Sequence, residues 1–379
     1  ATPSARSRFL KRINMEKPDI EKFMAKWNKT HGHLEMPGAL LMKYGPQDYV
    51  GATIAVRGTL YFKDAHTPEV REALCECFDA YRAIAKDHLT WLWRDEPPSG
   101  PDKYAYAKAP ELRAMAKKMD EEDHFGFAYI GGEKPHDASP WLFSIYGHRA
   151  WQARMGTWGP DSLIFSIPRE VIDENPALFQ ELFVKFCTLL KAEYGHGGFA
   201  LNLSLVRDEP NEPTEAFMVG KMAGLDAGSG HMLGGLPDKD AEPHLVTVGW
   251  LTAINHAMVE KVGGLSTLRS ELPASWFAKY DYGNGIVIQG GPKPEIAPVE
   301  LDPKPSIYVL PAMALKNVRL MTDLSLHYGS KDGEPRLTGL AAKEWLMRFD
   351  VPDEELMRYK TKLLDEPKLT KDTTLPGAL

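Results

Sequence analysis

The sequence holds no surplus of positive charge. Forty-five Lys and Arg stand against 52 Asp and Glu, a formal net charge of −7. A surface that grips nucleic acid through its phosphates needs an excess of Lys and Arg, so direct nucleic-acid binding is not expected. Cysteine is scarce: Cys75, Cys77 and Cys187 are the only three, and no CxxC pair exists. They read as reduced, buried thiols of a reducing compartment. No apolar run approaches the ~20 residues of a membrane span, so no membrane partner is expected. The first residues, Ala1-Thr-Pro-Ser-Ala-Arg-Ser-Arg8, carry no apolar core behind their positive charges, unlike a secretory signal. These features predict a cytoplasmic protein.

Local signatures of chemistry are missing as well. No GxxxxGK[ST] phosphate loop, no GxGxxG after a strand, no HExxH and no GxSxG is present. Gly228 to Gly235 is glycine-rich, but its spacing is wrong and no helix is expected after it. His31-Gly-His33 and Glu121-Glu-Asp-His124 have metal-like composition, yet a solvated turn accounts for each. Cys187 beside Phe186 on a helix reads as an inert core thiol. His196 and Asn202 flank the start of a strand, where a turn at Gly195-His-Gly-Gly198 accounts for them. Acids cluster in loops and not at strand ends, so no paired carboxylates for acid–base work can be named. No catalytic residue, metal site or cofactor is expected, and the chain is not expected to be an enzyme.

What is present is a large apolar fraction, 43% of 379 residues, enough for one large core or two ordinary domains. A first helix is predicted over 17 to 29, strands over Gly38 to Tyr44 and Thr53 to Phe62, and a helix capped by Thr67 and opened by Pro68. A strand from His88 to Trp93 follows. Phe125 to Ile130 and Trp141 to Tyr146 form a hairpin around Gly131-Gly132. The strand–helix–strand unit then recurs: Ser162 to Ile167, a helix capped by Asn175 and opened by Pro176, and Gly198 to Val206. At an offset of 108 residues Pro68 matches Pro176, Phe78 matches Phe186 and Trp91 matches Phe199, which suggests two related lobes. Thr247 to Ile254, an amphipathic run through Gly263-Gly-Leu265 and Gly285 to Pro294 add strand, helix, strand. Two terminal helices carry Trp345 and Tyr359, and the last dozen residues read as disordered.

The expected fold class is α/β (α+β layered): two related strand–helix–strand lobes with helices on mixed sheets, plus C-terminal helices. The expected division is an N-terminal helix and arm over 1–36, lobes over 37–155 and 156–325, and C-terminal helices and tail over 326–379.

One stretch concentrates charge. Asp208, Glu209, Glu212, Glu215, Asp226, Asp238, Asp240 and Glu242 face only Lys221 and Lys239 in the same window. A solvated loop is the plain explanation for any one of them. As a group they are the expected partner-binding surface, because such a field steers and orients a basic partner.

At Trp250-Leu-Thr252, Gly263-Gly-Leu265 and Ile288-Gln-Gly-Gly-Pro-Lys-Pro294 the chain resembles the type VI secretion immunity family associated with VRR-NUC-type and related nuclease effectors. Gly249 replaces the family's usual Asn before Trp250, and Gln289 replaces a small residue. Thr59-Leu-Tyr-Phe62, Trp158-Gly-Pro-Asp161 and Gly197-Gly-Phe-Ala-Leu201 fit the same pattern, so the resemblance runs over roughly residues 38 to 325. It implies an antitoxin-like inhibitor that binds one cognate secreted toxin, 1:1, and has no need of catalysis of its own. The lack of a secretory signal adds the expectation that the toxin acts in the cytoplasm, on nucleic acid or a nucleotide, as a nuclease would. An effector-loading chaperone or adaptor of the secretion system is the alternative, and an enzyme with a loop-built site is the third reading.

Overall fold

The longest strand organises the molecule. The computed structural model describes residues 41–43, 49–156, 159–206, 209–231, 244–319, 325–328 and 334–379. The helix expected over 17 to 29 and the pair His31 and His33 lie outside them. Strand β2 (Tyr49–Phe62) is buried along almost its whole length, as its β-branched and apolar run through Thr53-Ile-Ala-Val56 requires. It pairs with β7 (Asp161–Ile167) on one side and β8 (Tyr194–Leu203) on the other. Beyond β7 lie β6 (Leu142–Gly147), β5 (Phe125–Ile130), β3 (Trp91–Asp95) and β4 (Lys103–Ala105). Beyond β8 lie β9 (Leu251–Asn255), β11 (Gly285–Gly290) and β10 (Phe277–Asp281). A short β1 (Leu41–Lys43) also pairs with β2. Every pairing among these strands is antiparallel.

The α+β layered class expected from sequence is what the chain adopts. The sheets, however, are one sheet and not mixed. Strand β2 of the first expected lobe sits between β7 and β8 of the second, and Leu40–Leu379 packs as one unit. Nor does strand order repeat. β3 lies next to the outermost strand, whereas β8, its expected counterpart, pairs directly with β2.

One face of the sheet is dry and aromatic. Helix α1 (Pro68–Ala85) begins at the expected cap, with Thr67 Oγ1 accepting from the Val70 N–H at 3.4 Å. It packs beside α5 (Leu178–Leu190) over this face. Phe165 contacts the rings of Phe179, Phe183 and Phe186 at 5.2, 6.3 and 4.8 Å, and Phe78 stacks on Tyr129 at 4.0 Å. Glycine permits the close approach at position 58, where a Cβ would meet the Phe165 ring at 2.6 Å. Truncating a buried Phe of this layer costs about 3–5 kcal/mol. The second expected cap differs. Asn175 closes a short helix α4 (Arg169–Glu174), and α5 starts at Leu178 without a side-chain cap.

The remaining helices are α2 (Leu112–Ala116), α3 (Ala150–Met155), α6 (Glu212–Val219), α7 (His256–Lys261), α8 (Gly264–Glu271), α9 (Ser306–Ala314), α10 (Gly339–Leu346) and α11 (Leu356–Lys362). The tail corrects its expected disorder. Leu369 N donates to Ser275 O at 2.9 Å and Leu379 N to Lys279 O at 2.7 Å, so it lies along the outer edge of β10. The amides of Gln180 and Gln289 both donate to Thr373 O, at 3.1 and 2.8 Å. An open sheet edge invites pairing with another chain, and the tail covers this one. Among the described residues no helix is long and apolar enough to cross a membrane.

Candidate functional site

The second face of the sheet is polar, and it is where the acidic stretch enters the fold. Asp208, Asp238, Asp240 and Glu242 lie outside the described residues. The other four acids do not stand out as a charged surface. Asp226 is buried, with Oδ2 3.0 Å from Arg57 Nη2 and 3.2 Å from His196 Nε2. Burial alone would raise its carboxyl, but His196 and Arg57 hold it well below the usual range. Glu215 is buried on α6, accepting from His327 Nε2 at 2.6 Å and from the Gly228 N–H at 3.0 Å. His327 Nδ1 accepts from Leu337 N at 3.1 Å, which places the ring proton on Nε2. Glu212, also buried, pairs with Arg336 and accepts from Tyr328 N. Glu209 is half-buried, and its carbonyl accepts from Arg336 at 2.8 Å. Three of the four are therefore inward pins. They tie Asp226 and Gly228 to the central strands and to α6, and His327, Tyr328 and Arg336 to α6.

His196 and Asn202 are strand residues and not turn residues. Both lie in β8, where Asn202 Nδ2 donates to Ser139 O at 2.9 Å and Ser166 Oγ at 2.7 Å. Cys187 is buried, with its thiol pushed up by burial, as are Cys75 and Cys77.

Five residues after Asp226 the chain lays His231 on the sheet. Its Nε2 meets Ser144 Oγ at 2.8 Å and its Nδ1 meets Ser162 Oγ at 2.7 Å. Burial, then the neighbouring His124 and Arg57, pulls the imidazole down to about 3. Tyr146 lies among three histidine rings, 4.6 Å from His124, 5.3 Å from His148 and 5.7 Å from His231. His124 pairs with Asp95 at 3.1 Å and His148 with Asp161 at 3.0 Å. Both nitrogens of His231 are taken by hydroxyls, so no carboxylate orients it, and the arrangement of an activated serine is incomplete. Among the described residues no group of three or more His, Cys, Asp or Glu is placed to hold a metal ion.

Side chains directly opposite across an antiparallel ladder share a face. The registers Asp95↔Gly126↔Tyr146 and Trp93↔Ala128↔Ser144 therefore put all six positions on the His231 side. The middle strand contributes only a glycine and an alanine. A Cβ on Gly126 would meet His124 Nε2 at 2.6 Å, and Ala128 is half-buried although its strand is internal. The His124 ring takes up that space over Gly126, between Asp95 and Tyr146. Trp91, Trp93 and Leu205 pack on Ile130, Leu142 and Ile164 further along the same face. The Trp91 and Trp93 indoles donate to Glu133 O at 3.3 Å and Pro135 O at 2.9 Å, which fixes both rings. Glu96 pairs with Arg149, and the Asp95 and Glu96 side chains are 64% and 65% exposed. Sequence reading missed this cluster. Its signal was the alternation Trp91, Trp93, Asp95 on a strand whose inner neighbour sets Ile130, Ala128 and Gly126 opposite them.

The family model described as TsiV, type VI immunity for VRR-NUC, matches residues 73–349. Among solved structures, the Pseudomonas aeruginosa T6SS protein PA0821 superposes with a TM-score of 0.86 at 47% sequence identity, covering 96% of this chain and 100% of that one. No curated protein matches the chain.

Proposed function

Because the chain belongs to the TsiV family of type VI immunity proteins for VRR-NUC, we propose that it binds its cognate VRR-NUC effector one to one in the cytoplasm. There it stops the nuclease by occupying it, with no chemistry of its own. The observation that carries this reading is the family match over residues 73–349. The polar face supports it. Its histidines and carboxylates are spent on one another and on serine hydroxyls, the pattern of a structural network. The negative balance of the chain adds a fast, salt-dependent approach to a basic partner.

The test is rescue. Cells that express the effector should survive when the full chain is co-expressed, and the purified chain should abolish nuclease activity at one equivalent. An effector that stays toxic while bound to the chain would mark a delivery adaptor and overturn the inhibitor reading.

A further inference from the structure

We propose that the outer face of α3, which carries Trp151 and Met155, docks on the nucleic-acid-binding surface of the partner nuclease. The proposal rests on the immunity reading above and adds the surface that does the binding. Three features carry it. First, α3 turns large side chains outward. Trp151, Arg154 and Met155 are spaced i, i+3 and i+4, so they share one side of the helix, while Ala150 and Gln152 are buried. Met155 is 50% exposed, and Trp151 is the most exposed tryptophan among the described residues. Trp, Met and Arg are the side chains in which protein interfaces are enriched. Second, the helix is set before any partner arrives. The Ala150 N–H donates to Glu121 O at 2.8 Å, the Trp151 N–H to Glu122 Oε2 at 3.1 Å and the Arg149 N–H to Gln152 Oε1 at 2.8 Å. The buried Arg71 guanidinium pins the turn that holds α3, donating to Met119 O at 3.2 Å and Asp123 O at 3.1 Å. Third, the rim is acidic. Asp95, Glu96, Asp120, Glu121 and Glu122 are all exposed. Arg149 pairs with Glu96, and Arg154 Nη2 lies 2.6 Å from Glu122 Oε1. That leaves Asp95, Asp120 and Glu121 without a Lys or Arg partner among the described residues.

A nuclease supplies the matching chemistry. Its substrate is a polyanion, so the surface that holds it must be rich in Lys and Arg. The carboxylates around α3 answer those charges and speed the approach, and the Trp151 ring offers its face to a guanidinium or ammonium group. An anchor that needs no reordering binds with less entropy loss, and tryptophan is among the residues where binding energy concentrates in protein interfaces. With α3 seated on that surface, the nucleic acid is kept off it, as the inhibitor reading requires.

The experiment uses the full chain and the cognate VRR-NUC effector with its catalytic site inactivated, and reads Kd by calorimetry at two salt concentrations. Trp151→Ala removes the ring, Met155→Lys sets a positive charge beside it, and Glu121→Lys reverses one carboxylate of the rim. Met357→Ser, at an exposed position on α11, is the control. The expected result is a Kd raised at least about 30-fold by Trp151→Ala. Met155→Lys and Glu121→Lys should each raise it about 5- to 10-fold. Glu121→Lys should also flatten its dependence on salt, and Met357→Ser should leave it unchanged. Wild-type affinity in Trp151→Ala overturns the docking surface and leaves the immunity reading standing. A wild-type chain that does not bind the effector overturns both. Should Trp151→Ala lose its thermal transition, Met155→Lys decides alone: unchanged affinity at both salt concentrations overturns the proposal.

Discussion

Asp226 and Arg57 face each other at 3.0 Å in the interior of the protein, one from the acidic stretch and the other from the middle of the central strand. They are 169 residues apart in sequence. The contact explains how a glycine-rich, acid-rich segment acquires a fixed path: its carboxylate closes on the sheet, and the Gly228 carbonyl accepts from the same guanidinium at 3.2 Å.

Removing one partner of such a pair leaves the other charge buried and uncompensated. Asp226→Ala should therefore cost about 3–5 kcal/mol, read as a lower urea midpoint. The double variant Arg57→Met with Asp226→Leu should recover much of that loss, because it buries no orphaned charge. A single variant that unfolds at the wild-type midpoint would show that the pair holds nothing in place.

Acid should destabilise the protein through His231. Its folded value is about 3, below the unfolded value of about 6.5. On acidification the unfolded chain binds this proton first, so stability falls as pH drops from about 6.5 towards 3. The contribution to the slope is at most about 1.4 kcal/mol per pH unit. Below the ordinary Asp range, protonation of Asp226 in the unfolded chain adds to the loss, since its folded value is depressed. Urea midpoints measured between pH 7 and pH 4 should decline, and His231→Gln should flatten the decline. A His231→Gln profile as steep as wild type would place the acid sensitivity elsewhere.

Truncation after Glu366 should expose the edge of β10 and leave the amides of Gln180 and Gln289 without the Thr373 carbonyl. The expected outcome is a lower melting temperature together with concentration-dependent association on gel filtration. A truncated chain that melts and elutes like the full one would show that the tail protects nothing.

How much of this was legible in the sequence follows from the range of each interaction. The helix at Pro68 was readable because Thr67, Pro68 and the apolar stripe act within a few residues of each other. The hairpin of β5 and β6 was readable from its glycine turn, and the family from its short glycine-rich motifs. The single sheet was not, because the pairing of β2 with both β7 and β8 joins residues 99 to 151 positions apart. The burial of acids in that stretch was not legible for the same reason. Glu212, Glu215 and Asp226 look like solvated charge until Arg336, His327 and Arg57 arrive from distant parts of the chain. The grouping of Asp95, His124 and Tyr146 was hidden because its members come from separate segments that only the sheet brings together. The tail was read as disordered, while its anchors, Gln180, Gln289 and Ser275, lie 84 to 193 residues upstream of the groups they bind.

The most direct test of the central claim is a titration of the active VRR-NUC effector with the full-length chain, with nuclease activity and complex mass followed in the same samples. Activity should fall linearly to zero at one equivalent, alongside a complex of one chain with one effector that persists through gel filtration. Undiminished cleavage in the presence of excess chain, with or without a complex, would contradict it.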